Sequence, residues 1–346
     1  MSTATPDIQN ISSTEKQYLC YFASLPLKKW TIPELIELFD IPDESQVNFF
    51  DSIYDLSKTG WLQRENGLYS MPFEMQLHTR RKIRPTYEQC EYLFDTIIQK
   101  LELSANENKK PNHEYISYAE SLLDVLPEEN LETALLATQL IEAHRQLNQN
   151  DKALQYNQKY INIVEKILDN NHPEVANSYF SMAMTYTRLR MFEKAVEFNM
   201  KAASIYEQNN EANDIEKAAN YSNLSINYYQ LKNYSKSLEY GYKSVALNDK
   251  TSKKNYHLQG ITYCNMAMSY YSLKEYKHAT DCIDKAIDVH QKVLPFDHPD
   301  LKEELLIQHD LHSAYKLYKN LPAIIEISMA TLSLLIITVA IYFIYL

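Results

Sequence analysis

Residues 179–202 read YFSMAMTYTRLRMFEKAVEFNMKA, residues 221–244 YSNLSINYYQLKNYSKSLEYGYKS and residues 263–286 YCNMAMSYYSLKEYKHATDCIDKA. Their starts at 179, 221 and 263 are evenly spaced, and one register runs through all three. Tyr179, Tyr221 and Tyr263 stand in step, as do Met182-Ala183, Leu224-Ser225 and Met266-Ala267. Tyr186, Tyr228 and Tyr270 follow, then Phe192, Tyr234 and Tyr276, and Ala153, Ala195, Ser237 and Ala279. Residues four or seven apart, such as Tyr179, Ala183 and Tyr186, share one helix face. Small residues such as Ala183 and Ala195 let two antiparallel helices approach closely. The aromatics are expected to fill the space between one helix hairpin and the next. Such a hairpin cannot hide its apolar face alone, and stacking the units hides it in a continuous core.

The dipeptide His172-Pro173 returns three periods later as His298-Pro299. With Met182-Ala183-x-x-Tyr186, Phe192-x-x-Ala195 and Lys201-Ala202, this pattern resembles the tetratricopeptide-repeat (TPR) family. It is most similar to the longer-period repeats of kinesin light chains, in which a His-Pro pair also precedes the first helix of a repeat. The clearest repeats lie within 131–300, with a weaker unit at 131–170. A hairpin at 85–126 keeps the register without the motif residues, and 301–320 is expected to be a final unpaired helix capping the stack. Ser225, Ser237, Gly241 and Ser244 replace commoner small or aromatic residues, so the repeat holding them is predicted to be softer or more curved.

The resemblance implies an all-α solenoid whose concave face, carried by the first helix of each unit, binds a protein or peptide. The candidates there are Asn177, Ser181, Arg188, Asn223, Tyr229, Gln230, Asn265 and Tyr271. Ser181, Asn223 and Asn265 lie one period apart. Their side chains either hydrogen-bond a peptide backbone or support the packing between helices. TPR domains that clamp a C-terminal carboxylate use Lys and Arg on these helices. Asn177, Ala219, Ile261, Ser181, Asn223 and Asn265 carry no such charge, which argues against a chaperone-tail clamp.

Composition agrees with helices. The chain has only four glycines, too few for the tight turns and phosphate contacts of a doubly wound nucleotide fold, and 28 tyrosines. A net charge of −11 repels nucleic acid over long range. Cys20, Cys90, Cys264 and Cys282 are scattered and form no zinc-ligand spacing. His309-x-x-His312 puts two imidazoles on one helix face, but no third ligand is identifiable. No phosphate loop, nucleophile elbow or paired-carboxylate motif is present, so neither a cofactor, a metal nor catalysis is expected.

Ahead of the repeats, residues 1–10 read as a disordered tail and 11–84 as a separate module. One helix is expected over 14–24. A second begins at Thr31, with Glu34 completing a capping box, and a third runs from Asp43 or Gln46 to about Thr59. Asn66-Gly67 between two short strand-like runs signals a hairpin. Three helices and a hairpin make a winged helix. LSKTGWLQRENGLYSMP at 56–72 resembles the winged-helix segment of STAND-type signalling ATPases. The third helix carries Glu44, Asp51 and Asp55 against Lys58, which disfavours DNA. The basic cluster His78, Arg80, Arg81, Lys82 and Arg84 reads either as a contact for phosphate or an acidic partner, or as a solvated linker.

From 327 to 346, the run ISMATLSLLIITVAIYFIYL carries no charged side chain. As a helix it would be roughly 30 Å long, matching a bilayer core. A transmembrane helix is therefore expected at 323–346, starting near Pro322, with the repeats filling 85–320. Lys316 and Lys319 on the near side place the bulk of the chain in the cytoplasm. The polar stretch 1–13 holds no signal peptide, so the expected topology is a C-terminal tail anchor. The resulting expectation is a membrane-tethered TPR adaptor. The alternative is a ligand-responsive regulator, since helix-turn-helix domains fused to TPR solenoids occur in bacterial peptide sensors.

Overall fold

The structure is a computed structural model of the whole chain and describes residues 6–106, 111–126, 129–208, 214–252 and 254–344. At 103–106, 322–327, 330 and 332–344 only the helix course is described. The described residues divide into two compact units, the first ending at Asn170 and the second starting at Asn171.

The first unit opens with a 3-10 turn at Ile8–Asn10, within the stretch predicted to be a disordered tail. Helix α1 (Ser13–Ser24) starts on a Ser12–Glu15 capping box, and α2 (Ile32–Leu38) starts on the predicted Thr31–Glu34 box. A 3-10 turn at Asp43–Ser45 leads into α3 (Gln46–Lys58). Strands β1 (Gln63–Glu65) and β2 (Leu68–Ser70) pair antiparallel with Arg64 opposite Tyr69. Their turn residues Asn66 and Gly67 both have positive φ, 51° and 79°, as a two-residue hairpin turn requires. Trp30 bridges Tyr69 through two 2.8 Å backbone hydrogen bonds. Tyr18, Tyr21, Phe22, Phe39 and Phe49 interlock beneath, with Tyr21 and Phe39 at 4.7 Å. Edge-on packing of this kind adds stability beyond the area it buries.

Residues 78–82, predicted as either a contact surface or a linker, belong to a helix, α4 (Phe73–Lys82). Its inner face caps α1. Gln76 Nε2 donates to the carbonyls of Phe22 and Leu25, and Arg80 Nε donates to that of Ala23 at 2.8 Å. Long polar side chains here satisfy carbonyls that a helix end leaves open. Next come α5 (Tyr87–Asn106), α6 (His113–Val125), α7 (Leu131–Gln146) and α8 (Asn150–Ile167). Trp30 packs 5.3 Å from Tyr118, and Lys28 pairs with Glu114 at 3.0 Å, so α6 lies against the N-terminal helices. The buried His144 and the exposed Lys152 both reach Glu120 and hold its carboxyl down at about 2.

The second unit, among the described residues, stacks three hairpins and a long helix. These are α9 (Pro173–Arg188) with α10 (Phe192–Gln208), α11 (Asp214–Gln230) with α12 (Tyr234–Lys250), α13 (Tyr256–Ser272) with α14 (Tyr276–His290), and α15 (Pro299–Ile344). Both His-Pro pairs open helices. His172 and His298 accept the backbone N–H of Glu174 and Asp300 on Nδ1, and the proline fills the first helical position. Helix α15 is thus the first helix of a further repeat. It runs on past Asn320 without a break, so neither the predicted end there nor a fresh start at Pro322 is seen.

The small residues meet as expected. Ala183, Ala195, Ala267 and Ala279 are fully buried. Where the pair is Ser225 and Ser237, each hydroxyl donates to the other's carbonyl, at 2.7 and 2.8 Å, and Ser244 donates to Ala218 O. These serines close the α11–α12 contact with hydrogen bonds, in the repeat predicted to be softer or more curved. The aromatics pack both between hairpins, where Tyr221 lies against Ala203 of the preceding one, and within a hairpin. Phe198 lies 5.5 Å from Tyr186, and Tyr240 lies 5.5 Å from Tyr228. Lys201 sits 4.6 Å over Phe198 and Lys243 4.8 Å over Tyr240, one period apart. Tyrosine suits this half-exposed site because its ring packs while its hydroxyl stays wet.

Each hairpin turn repeats one device that the sequence hides. Asn148, Arg190, Lys232 and Lys274, one period apart, have φ of 56–62°. The next residue's N–H reaches back five residues, as Asn233 N does to Tyr228 O at 2.9 Å. This left-handed helix stop usually takes glycine, and an L-residue there costs about 1–2 kcal/mol. Lys232→Gly is expected to melt at or slightly above the parent temperature. Lys232→Val, β-branched, is expected to lose about 1 kcal/mol or more. A glycine variant melting well below the parent would contradict this account.

Candidate functional site

Helices α11 and α13 pack side by side as first helices of successive repeats. Together with the start of α15 they wall an open cavity of about 370 Å³, within the range of ligand pockets. Its floor is apolar, formed by Ile226, Ile261, Met268 and Ile307. Tyr229 and Gln230 stand on the α11 side, where Gln230 is exposed and Tyr229 half-buried. The α15 side carries Asp300 and Glu303, both exposed, and the buried Glu304.

At the back lies a buried clasp. His290, 1 % exposed, faces Glu304 through Nδ1 at 2.9 Å and the carbonyl of His257 through Nε2 at 3.0 Å. Burial disfavours the imidazolium, but the carboxylate and the carbonyl outweigh it and raise the His290 pKa. The clasp ties α13, α14 and α15 into one rigid wall. Gly260 makes room for it, since a Cβ there would meet the ring at 2.2 Å. Cys264 also lines the cavity. Burial, then Glu304, Glu303 and Asp300, push its thiol up to about 12, so it is no nucleophile near neutral pH.

Of the residues singled out by sequence, Tyr229, Gln230 and Asn265 come together here. The Asn265 amide already donates to Ser225 Oγ at 2.7 Å and Ser237 Oγ at 3.2 Å. Asn223 is buried, donating to Asn199 Oδ1 and accepting from Thr187. These two asparagines therefore support packing between helices. Asn177 bonds Glu174 and the Tyr206 hydroxyl. Asn177, half-buried Ser181 and exposed Arg188 all lie on α9, away from the cavity. Tyr271 is exposed, 5.7 Å from Tyr276, and does not line it.

Arg80 is engaged with α1, which leaves Arg81, Lys82 and Arg84 as the exposed part of the basic cluster. His312 pairs with Asp284 at 3.1 Å, and among the described residues no group of three or more His, Cys, Asp or Glu is placed to hold a metal. Sequence reasoning missed the α15 wall. Extending the His298-Pro299 register would have found it, because Glu303 follows Ile261, and Ile307 follows Asn265, by one period.

A family profile described as tetratricopeptide repeat matches residues 132–208 and 214–292, and these segments are TPR repeats. No curated protein sequence matches the chain. Among solved structures, the apo form of RapI shares 13 % identity over 88 % of this chain and 72 % of that one, with a TM-score of 0.52. A Podosopora anserina protein with nearly identical kinesin-light-chain TPR-like repeats shares 16 % over 57 % and 95 %, with a TM-score of 0.48. A Pyrococcus horikoshii STAND protein with a TPR sensor shares 17 % over 88 % and 53 %, at 0.44. The RapI likeness concerns the fold. Among the described residues no helix is long and apolar enough to cross a membrane. Most of the predicted span at 327–346 lies outside the residues whose side chains are described.

Proposed function

We propose that this chain is a membrane-tethered scaffold whose tetratricopeptide repeats hold a peptide segment of a partner protein. TPR repeats are protein-binding modules, and the observation that carries the reading is the cavity walled by α11, α13 and α15. The side chains of Tyr229 and Gln230 at its rim have no hydrogen-bond partner among the described residues, which leaves them available to a peptide backbone. The cavity's buried histidine is already paired and its thiol is held protonated, so the reading is binding without catalysis. Tethering is supported by the uncharged run at 327–346.

The N-terminal helices and hairpin, read as a winged helix, would serve a second protein. Exposed Val47 and Phe50 on α3 sit among Glu44, Asp51 and Asp55, a surface suited to protein and repellent to phosphate.

The full chain is expected to sediment with membranes and resist carbonate washing, while a variant lacking 327–346 stays in the supernatant. Sedimentation of both alike would sink the tether. For the groove, affinity capture of the detergent-solubilised chain is compared with Tyr229→Ala/Gln230→Ala. Loss of captured protein from a variant with unchanged circular dichroism is expected, and unchanged capture would move the working surface elsewhere.

A further inference from the structure

We propose that the cavity between α11, α13 and α15 receives a basic residue of the bound peptide, a lysine or arginine next to an apolar side chain. This rests on the reading of the repeats as a peptide-binding surface and specifies its chemistry. The lining contains no lysine or arginine. The one imidazole there, His290, is already paired with Glu304 at 2.9 Å. Asp300 and Glu303 therefore leave the mouth net negative. Among the described residues Asp300 makes one side-chain ion pair, with His298 at 3.8 Å, and Glu303 makes no hydrogen bond or ion pair.

The floor supplies the other half of the match. Ile226, Met268 and Ile307 form an apolar bed leading to those carboxylates. An aliphatic stem ending in a charge fits such a bed, with its methylenes on the floor and its head at the wet rim. Methionine adapts to side chains of different shape, so lysine and arginine are both accommodated. An acidic side chain would instead be placed against two carboxylates. The chain's net charge of −11 adds long-range attraction for a basic segment.

The test uses the full chain in a nonionic detergent and a fluorescein-labelled, end-capped hexapeptide library. Each pool has one position fixed, and binding is read by anisotropy. Pools fixed as lysine or arginine are expected to bind about tenfold more tightly than pools fixed as aspartate or glutamate, a difference of about 1.4 kcal/mol. Asp300→Asn/Glu303→Gln, two exposed changes outside the clasp, should abolish that preference. Added salt should weaken the basic pools selectively. Equal or tighter binding of acidic pools, or a preference that survives the double substitution, overturns the proposal while peptide binding by the repeats stands. Absence of binding to every pool overturns both.

Discussion

Replacing Gly260 with alanine is expected to destabilise the second unit by about 3 kcal/mol and to lower its melting temperature by about 6–12 °C. The added Cβ would sit 2.2 Å from His290 Nε2, 2.3 Å from Cδ2 and 2.5 Å from Cε1. A flexible side chain could swing clear, but this ring cannot. It is 1 % exposed, held at both nitrogens and packed 5.2 Å from His257. To admit the methyl, either the helix backbones separate or both hydrogen bonds break, leaving Glu304 buried without its partner. Overpacking alone costs about 1–3 kcal/mol, and a stranded buried charge costs more. Because the clasp is one of the contacts that join α15 to the last hairpin, beside Leu301 and Leu311 in the shared core, the cavity should also loosen, and peptide binding should fall with stability. A double-mutant cycle separates the causes. Once His290→Ala has removed the ring, Gly260→Ala should cost little, so the two losses fall well short of additive. Additive losses would show that Gly260 is needed for some reason other than the ring above it.

The repeats were legible because a stacked hairpin makes the same demand at the same position in every period. Ala183, Ser225 and Ala267 must be small, and Tyr179, Tyr221 and Tyr263 must be large. The capping box at Thr31 and the Asn66-Gly67 turn were legible because each is a local pattern with a local cause. What escaped was long-range or atypical. The hairpin stops use Asn148, Arg190, Lys232 and Lys274 in the left-handed region, where a reader looks for glycine, and this is compatible with a chain of only four glycines. Asn223 and Asn265 carry exposed-looking side chains in sequence, yet their amides are engaged by Thr187, Asn199, Ser225 and Ser237 from neighbouring helices. Arg80 looked like part of a surface charge cluster, and the end of α1 claims it. The cavity was half legible. Tyr229, Gln230 and Asn265 followed from the register, but the acidic wall required reading α15 as a repeat helix.

Glu304→Gln is expected to change how the second unit responds to pH, by about 3 kcal/mol where the loss is greatest. Both nitrogens of His290 face oxygens, one of a carboxylate and one of a carbonyl, and two acceptors call for two donors. The folded state therefore favours the imidazolium, and the His290 pKa lies above the ordinary value of about 6.5. Protons are then bound more tightly by the folded than by the unfolded chain. The stabilisation is complete below the ordinary value and is lost as the pH rises through the higher folded one. Asp300 acts in the same direction as Glu304, whereas burial opposes it. In the Glu304→Gln variant Asp300 is the one remaining carboxylate acting on the ring among the described residues, and burial drives the imidazole toward neutrality. The amide can still accept from, or donate to, Nδ1, so one neutral hydrogen bond survives. The gap between parent and variant melting temperatures should thus be widest near pH 5.5 and narrow steadily toward pH 9. Taking the difference between the two proteins removes groups that titrate alike in both. Parallel curves over that range would mean that His290 is neutral in the native fold, and the clasp would then be an ordinary hydrogen bond without an ionic component.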